Sequence, residues 1–150
     1  MTDVEYMAAD SLKVDPAYTL ASHVVGTVLQ DVPVVSQAAT KRDVLDTFGA
    51  ILGGSSAPGI EELTAVIGRW GGKQEATLAV LGRKLPSHHA AMLNSAMGHA
   101  LDFDDTYDMG GHVHPGTSVL AAALAVSEAL GGVTGDQLIL AVTLGLDVDR

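Results

Sequence analysis

Residues 115–132, PGTSVLAAALAVSEALGG, decide the fold. Proline fits the first turn of a helix, and the two closing glycines fit its C-terminal end. Between them, residues 118–130 have almost no polar face. A helix that is apolar all round is typically buried. We therefore predict a central Ala-rich helix that is buried on all sides.

Helical periodicity continues on both sides of this segment, as in the apolar stripe at positions 44, 45, 48, 51 and 52. Ser36 and Ser87 are predicted N-caps. The residues 76–81, ATLAVL, fit either a small strand or an extended connector. The predicted helices are Tyr18–Gln30, Ser36 to about Leu52, Pro58–Trp70, His88 to about Ala100, and a last one from Thr134 or Asp136 towards Arg150.

These patterns predict an all-α fold whose helices pack around the Ala-rich helix. Residues 1–15 have no period and indicate a loose leader, so the helical domain spans 16–150. The last helix is still periodic at Arg150 and carries no stop signal. We therefore expect a partial domain, which a C-terminal part or a partner chain completes.

Composition excludes several classes of protein. The 150 residues carry 8 Lys and Arg against 18 Asp and Glu, a net charge of −10. This balance argues against binding to nucleic acid or to an anionic membrane. The chain has no cysteine, no signal peptide and no apolar run that could span a bilayer, so we expect a soluble, cytoplasmic protein. Charged residues make up only 17%, which favours a surface covered by a partner.

The candidate site is the stretch GHALDFDDTYDMGGHVHPGTS, residues 98–118. It concentrates acids and imidazoles, the groups that transfer protons or hold metals. These groups are His99, Asp102, Asp104, Asp105, Asp108, His112 and His114.

Metal templates fit this stretch poorly. A calcium loop needs glycine at its sixth position and an acid at its twelfth. Counting from Asp102 gives Tyr107 and Val113, and counting from Asp104 also fails. No H-E-x-x-H zinc motif is present. His112 and His114, alongside Asp102 or Asp108, remain a weaker zinc alternative.

General acid–base chemistry fits better, and we assign Asp102, Thr106 and His114 to catalysis. The helix that ends near Ala100 aims Asp102 into the loop, and the Thr106 hydroxyl can bind a carboxylate or orient water. His114 precedes Pro115 and a helix N-terminus, a position where an imidazole can transfer protons near neutral pH.

The other polar groups of the loop are assigned more modest roles. Asp104, Asp105 and Asp108 are expected to be solvated charges or helix caps. His112 follows two glycines and fits either a mobile surface histidine or a functional one. For the site as a whole, we assign His112 and Asp105 to substrate binding and predict no metal.

Four segments in order resemble the MmgE/PrpD family. They are KRDVLDTFGAILGG (41–54), AAMLNSAMGHALDFDDTY (90–107), HPGTSVLAAALAVSEALGG (114–132) and GDQLILAVTLGLDVDR (135–150). Three departures stand out: Asn94-Ser95 replaces the usual Asn-Gly, Asp147 replaces the usual Glu, and the 107–113 segment is longer than in some relatives.

The resemblance implies a lyase or isomerase of small polycarboxylates, such as a 2-methylcitrate dehydratase, a cis-aconitate decarboxylase or an iminodisuccinate epimerase. It implies no metal or organic cofactor, and it matches Asp102, Thr106 and His114 to the family's active-site Asp, Thr and His. Family members are much longer and take further catalytic His and Lys residues from later segments. We therefore expect this chain alone to be inactive, and a second chain or a homo-oligomer to complete it.

Two alternatives belong to other classes of protein. One is a non-catalytic interaction or regulatory subunit that docks through its apolar helices at 118–130 and 137–148. The other is a metal-binding module built from His112, His114 and Asp108.

Overall fold

The computed structural model describes residues 15–109 and 112–149. Most of the predicted leader, residues 1–14, lies outside these ranges, and Asp15 caps the first helix through Ala17 N at 2.9 Å. The helices are α1 (Pro16–Gly26), α2 (Val34–Gly54), α3 (Ile60–Gly68), α4 (Ser87–His99), α5 (Pro115–Ala129) and α6 (Gly135–Val148), and the strands are β1 (Ala76–Thr77) and β2 (Lys84–Leu85). The predicted all-α class is confirmed.

The Ala-rich helix α5 is central, with α2, α4 and α6 packed against it. Leu120, Ala121 and Ala125 are buried in these contacts. The prediction that the helix is buried on all sides is wrong, because Val126 and Leu130 are 54% and 72% exposed. The described neighbours cover only one side of α5, so its outer face remains apolar and open.

Several helix starts differ from the prediction. Prolines 33 and 86 hold the N-cap positions of α2 and α4, with ψ near 140°. Ser36 and Ser87 therefore lie inside their helices and do not cap them. Proline fixes φ, so the chain can enter the helix directly behind it. At α6 the predicted Thr134 cap is confirmed, and it forms a capping box with Gln137.

Two helices are shorter than predicted. The predicted helix Tyr18–Gln30 ends at Gly26, and a 3₁₀ turn at Leu29–Asp31 follows. The predicted helix Pro58–Trp70 spans only Ile60–Gly68.

The open choice at residues 76–81 is resolved as a short hairpin. Ala76 pairs with Leu85 and Thr77 with Lys84 in antiparallel register. The buried Asn94 of α4 accepts a hydrogen bond from Ala79 N at 2.9 Å and donates one to the Thr77 carbonyl at 3.1 Å. This asparagine therefore ties the hairpin to α4.

Two glycines let the helices approach closely at the centre. A Cβ at Gly98 of α4 would lie 2.7 Å from Thr117 Cγ2 of α5, and one at Gly54 of α2 would overlap the Met97 carbonyl oxygen. The end of α4 is thereby held against the start of α5. None of the helices in the described ranges combines the length and apolar character needed to cross a bilayer.

Candidate active site

The candidate site lies where α4 ends and α5 begins. His99 is the last residue of α4, and His114 is the N-cap residue of α5. The close contact at Gly98 and Thr117 brings these two ends together. The rings of His99 and His114 lie 4.8 Å apart, centre to centre, and are tilted by 56°.

Asp104 is the buried centre of this site, with a side chain that is 0% exposed. Its two oxygens lie 3.2 and 3.1 Å from His99 Nδ1. His114 Nδ1 lies 3.6 Å from Asp104 Oδ2, beyond ordinary hydrogen-bond distance. The expectation that Asp104 is a solvated loop charge is wrong, because the chain after α4 folds its carboxylate under both imidazoles.

The structure brings two of the three predicted catalytic residues together. Asp102 Oδ1 lies 3.8 Å from His114 Nε2. The Asp102 side chain is 79% exposed, whereas that of His114 is 25% exposed. The Asp102 backbone has φ of +52°, in the left-handed region that residues other than glycine seldom adopt. The pair therefore joins an open carboxylate to a half-buried imidazole.

Thr106 is exposed, and the structure places it in no hydrogen bond with the described residues. Asp105 is turned towards α5 instead of the cavity, and its Oδ1 accepts a hydrogen bond from Gly116 N at 2.9 Å. The helix N-terminus favours such a negative charge. The Asp105 carboxylate therefore satisfies one of the free N–H groups in the first turn of α5.

A backbone pair closes the loop in front of α5. Tyr107 N donates to the Val113 carbonyl at 2.9 Å, and Val113 N donates to the Tyr107 carbonyl at 3.2 Å. Asp108 and His112 lie between these two residues and are exposed. This closed pair fixes the chain directly before His114.

An open cavity of about 530 Å³ lies beside the two imidazoles, within the usual range for small-molecule sites. Ser95 of α4 lies on its wall. Asp102 and Thr106 are not part of the wall, and none of its described residues is Lys or Arg. The lining residues are Met92, Ser95, Ala96, His99, His112, Val113, His114, Thr117, Ser118 and Asp149.

Metal geometry selects a different set of residues from the one predicted. His99, Asp102, Asp104 and His114 each offer a ligand atom, and these atoms lie within 4.8 Å of one another. Imidazole nitrogens and carboxylate oxygens are both zinc ligands. Of the predicted ligands His112, His114, Asp102 and Asp108, only His114 and Asp102 belong to this cluster.

The sequence did not predict the contact between His99 and Asp104. One signal was available for His99, because it lies in the stretch at 90–107 that resembles the family. Nothing in the sequence separates Asp104 from the neighbouring acids, since only the folded chain buries it.

Comparison with known proteins identifies a family and two curated relatives. A family model described as the MmgE/PrpD N-terminal domain matches residues 18–150. The chain is 32% identical over 115 residues to cis-aconitate decarboxylase of Mus musculus. It is 31% identical over 117 residues to cis-aconitate decarboxylase of Homo sapiens. Each match covers 73% of this chain but 23% of the relative, so the chain spans about a quarter of the length of these proteins.

Proposed function

The chain belongs to the MmgE/PrpD family, and on that premise we propose that it supplies part of the active site of a lyase or isomerase. The substrate class is a small polycarboxylate, and the chemistry is dehydration, decarboxylation or epimerisation by general acid–base catalysis, without metal or organic cofactor. The observation that carries the proposal is the approach of Asp102 Oδ1 to His114 Nε2, 3.8 Å apart beside an open cavity.

This geometry supports a proton transfer centred on His114. A half-buried imidazole with an accessible Nε2 can take a proton from the carbon next to a substrate carboxylate, or return one to it. Asp102 can accept that proton in turn or stabilise the imidazolium. Thr106 and His112 are both exposed, and His112 lines the cavity. We assign them to hold a substrate carboxylate or orient a leaving group, and Asp105 to support the binding surface from the start of α5.

A polycarboxylate substrate requires cations that the described lining of the cavity lacks. Arg and Lys are the usual partners of carboxylates, and they also stabilise the negative charge that develops during the reaction. We propose that a further protein surface supplies them, either a later part of a longer polypeptide, a second chain or another copy of this one. The open cavity and the exposed face of α5 favour such a covering surface.

The first test is an activity assay of the full chain, alone and together with the polypeptide encoded next to it. Cis-aconitate is the first substrate to try, because both curated relatives are cis-aconitate decarboxylases. Citrate and methylcitrate follow, with turnover measured by NMR. We expect His114→Ala to lower turnover at least about 100-fold, the usual contribution of a general base. His88→Ala, on the exposed first turn of α4, is the matched control. Full activity of His114→Ala would refute this role for His114.

The four-residue cluster around Asp104 favours metal binding as a second candidate function. It predicts stoichiometric zinc in the purified protein and weaker zinc binding in His114→Ala. Elemental analysis that finds no stoichiometric metal would exclude metal binding.

The alternative of a non-catalytic interaction subunit predicts that the chain associates with a partner and has no turnover. It also predicts that Asp102→Asn leaves this association unchanged.

A further inference from the structure

The Asp104 carboxylate has no access to solvent, and its described contacts are with two imidazoles. Burying a carboxylate is costly unless hydrogen bonds compensate for the lost water. His99 Nδ1 provides that compensation at 3.1 and 3.2 Å. A carboxylate oxygen accepts from an imidazole N–H, so this geometry fits a hydrogen bond in which the hydrogen lies on His99 Nδ1.

This hydrogen bond determines which nitrogen of His99 is available for chemistry. In neutral imidazole, a proton on Nδ1 leaves Nε2 as an acceptor. The His99 side chain is 53% exposed and lines the same cavity as His114. His99 Nε2 makes no hydrogen bond to the part of the chain that the structure describes. The cavity therefore has two imidazoles whose centres are 4.8 Å apart.

We propose that Asp104 is a positioning residue that fixes His99 as the Nδ1–H tautomer, so that His99 Nε2 serves as a second proton acceptor beside His114. In the step envisaged, Nε2 takes a proton from the substrate or from water and later returns it. The Nδ1 proton stays on the ring, and Asp104 stabilises the imidazolium that forms, as carboxylates do for catalytic histidines elsewhere. The catalytic part of this proposal rests on the proposed function, whereas the tautomer does not.

The tautomer can be measured directly on the full chain without substrate. Nitrogen-15 NMR of the ring nitrogens at about pH 9, well above the ordinary histidine pKa of about 6.5, distinguishes protonated from unprotonated nitrogens. We expect Nδ1–H for His99 in the unaltered protein. Asp104→Ala removes the acceptor for the hydrogen on Nδ1 and should shift the population towards Nε2–H. Asp108→Asn, an exposed acid in the same loop, should leave it unchanged.

Two results would overturn the proposal. One is Nε2–H for His99 in the unaltered protein, which needs no variant and so remains informative if Asp104→Ala does not fold. The other is an unchanged tautomer in a folded Asp104→Ala.

An activity measurement tests the catalytic part separately. In the completed enzyme, Asp104→Ala should lower kcat about 10- to 100-fold with KM unchanged, as is usual when the group that orients a functional histidine is lost. A shifted tautomer with unchanged kcat would overturn the role of His99 in proton transfer. Absence of turnover in the completed enzyme without substitutions would count against the proposed function, while the tautomer result would stand.

Discussion

At Asp102 the backbone adopts a conformation that most side chains avoid, with φ of +52°. Left-handed backbone costs roughly 1–2 kcal/mol for an ordinary residue and less for Asp or Asn. We predict that Asp102→Gly raises the free energy of unfolding by up to about 1 kcal/mol and abolishes turnover, as measured by urea denaturation and by activity. Asp102→Asn should keep the stability and lose the activity. A less stable glycine variant would show that the carboxylate itself stabilises the fold.

Residue chemistry made part of this site predictable. Asp102 and His114 were identified because an acid just after a helix and an imidazole just before one fit proton transfer, and the structure places them 3.8 Å apart. Asp104 was not predictable, because its burial depends on the close approach of α4 and α5 and not on any local pattern. The roles of Thr106 and His112 remain predictions, since both are exposed.

At the scale of elements, the approach of α2 to α4 depends on Gly54, where a Cβ would overlap the Met97 carbonyl oxygen. We predict that Gly54→Ala destabilises the protein by about 1–3 kcal/mol, because a rigid backbone must move. Gly49→Ala is the matched control in the same helix, since nothing lies within 4 Å of its Cβ position. It should stabilise by about 0.5–1 kcal/mol, because alanine favours helix. Equal effects in thermal denaturation would contradict this packing argument.

The hairpin is fastened to α5 by Glu128. Its Oε1 accepts from Thr77 N at 3.0 Å, and its Oε2 accepts from Thr77 Oγ1 at 2.7 Å and from Lys84 Nζ at 3.0 Å. Burial opposes ionisation, but the hydrogen bonds from Thr77 and Lys84 outweigh it, so the pKa of Glu128 lies below its ordinary value of 4.5. The charged form is therefore the one that stabilises the fold.

This lowered pKa sets a pH window for stability. A depressed carboxyl pKa stabilises fully above the unfolded value of 4.5, and the contribution is lost as pH falls below it through the folded pKa. We predict that Glu128→Gln loses about 1 kcal/mol at neutral pH and that the difference from the unaltered protein shrinks by about pH 3. Thermal denaturation at both pH values measures this. Asp46→Asn, on the exposed side of α2, is the control for the loss of one negative charge.

Element-level prediction succeeded where local chemistry decides the outcome. The Thr134 cap and the Ala-rich helix follow directly from residue types. The outer face of α5 could not be predicted, because burial depends on how many neighbours pack around a helix, and an apolar sequence does not specify that number. Asn94 shows the same limit, since its hairpin partners lie far along the chain.

At the scale of the whole molecule, α1 is the most loosely attached helix, with no buried residue. His23 Nε2 lies 2.9 Å from Asp147 Oδ2 of α6, and both side chains are exposed. We predict that His23→Ala speeds hydrogen exchange in α1 while the midpoint of global unfolding hardly changes, because exposed ion pairs contribute only about 0–1 kcal/mol. Exchange followed by mass spectrometry tests this, with His88→Ala as the control. An equal increase in the rate of hydrogen exchange in α5 would show that α1 unfolds together with the core.

The backbone pair between Tyr107 and Val113 has a consequence for protein engineering. Because these residues exchange both hydrogen bonds, the distance between the loop's two stems is set at the base and not by the number of residues beyond it. A peptide tag or a fluorescent reporter inserted directly after the exposed Asp108 should therefore leave His114 in place.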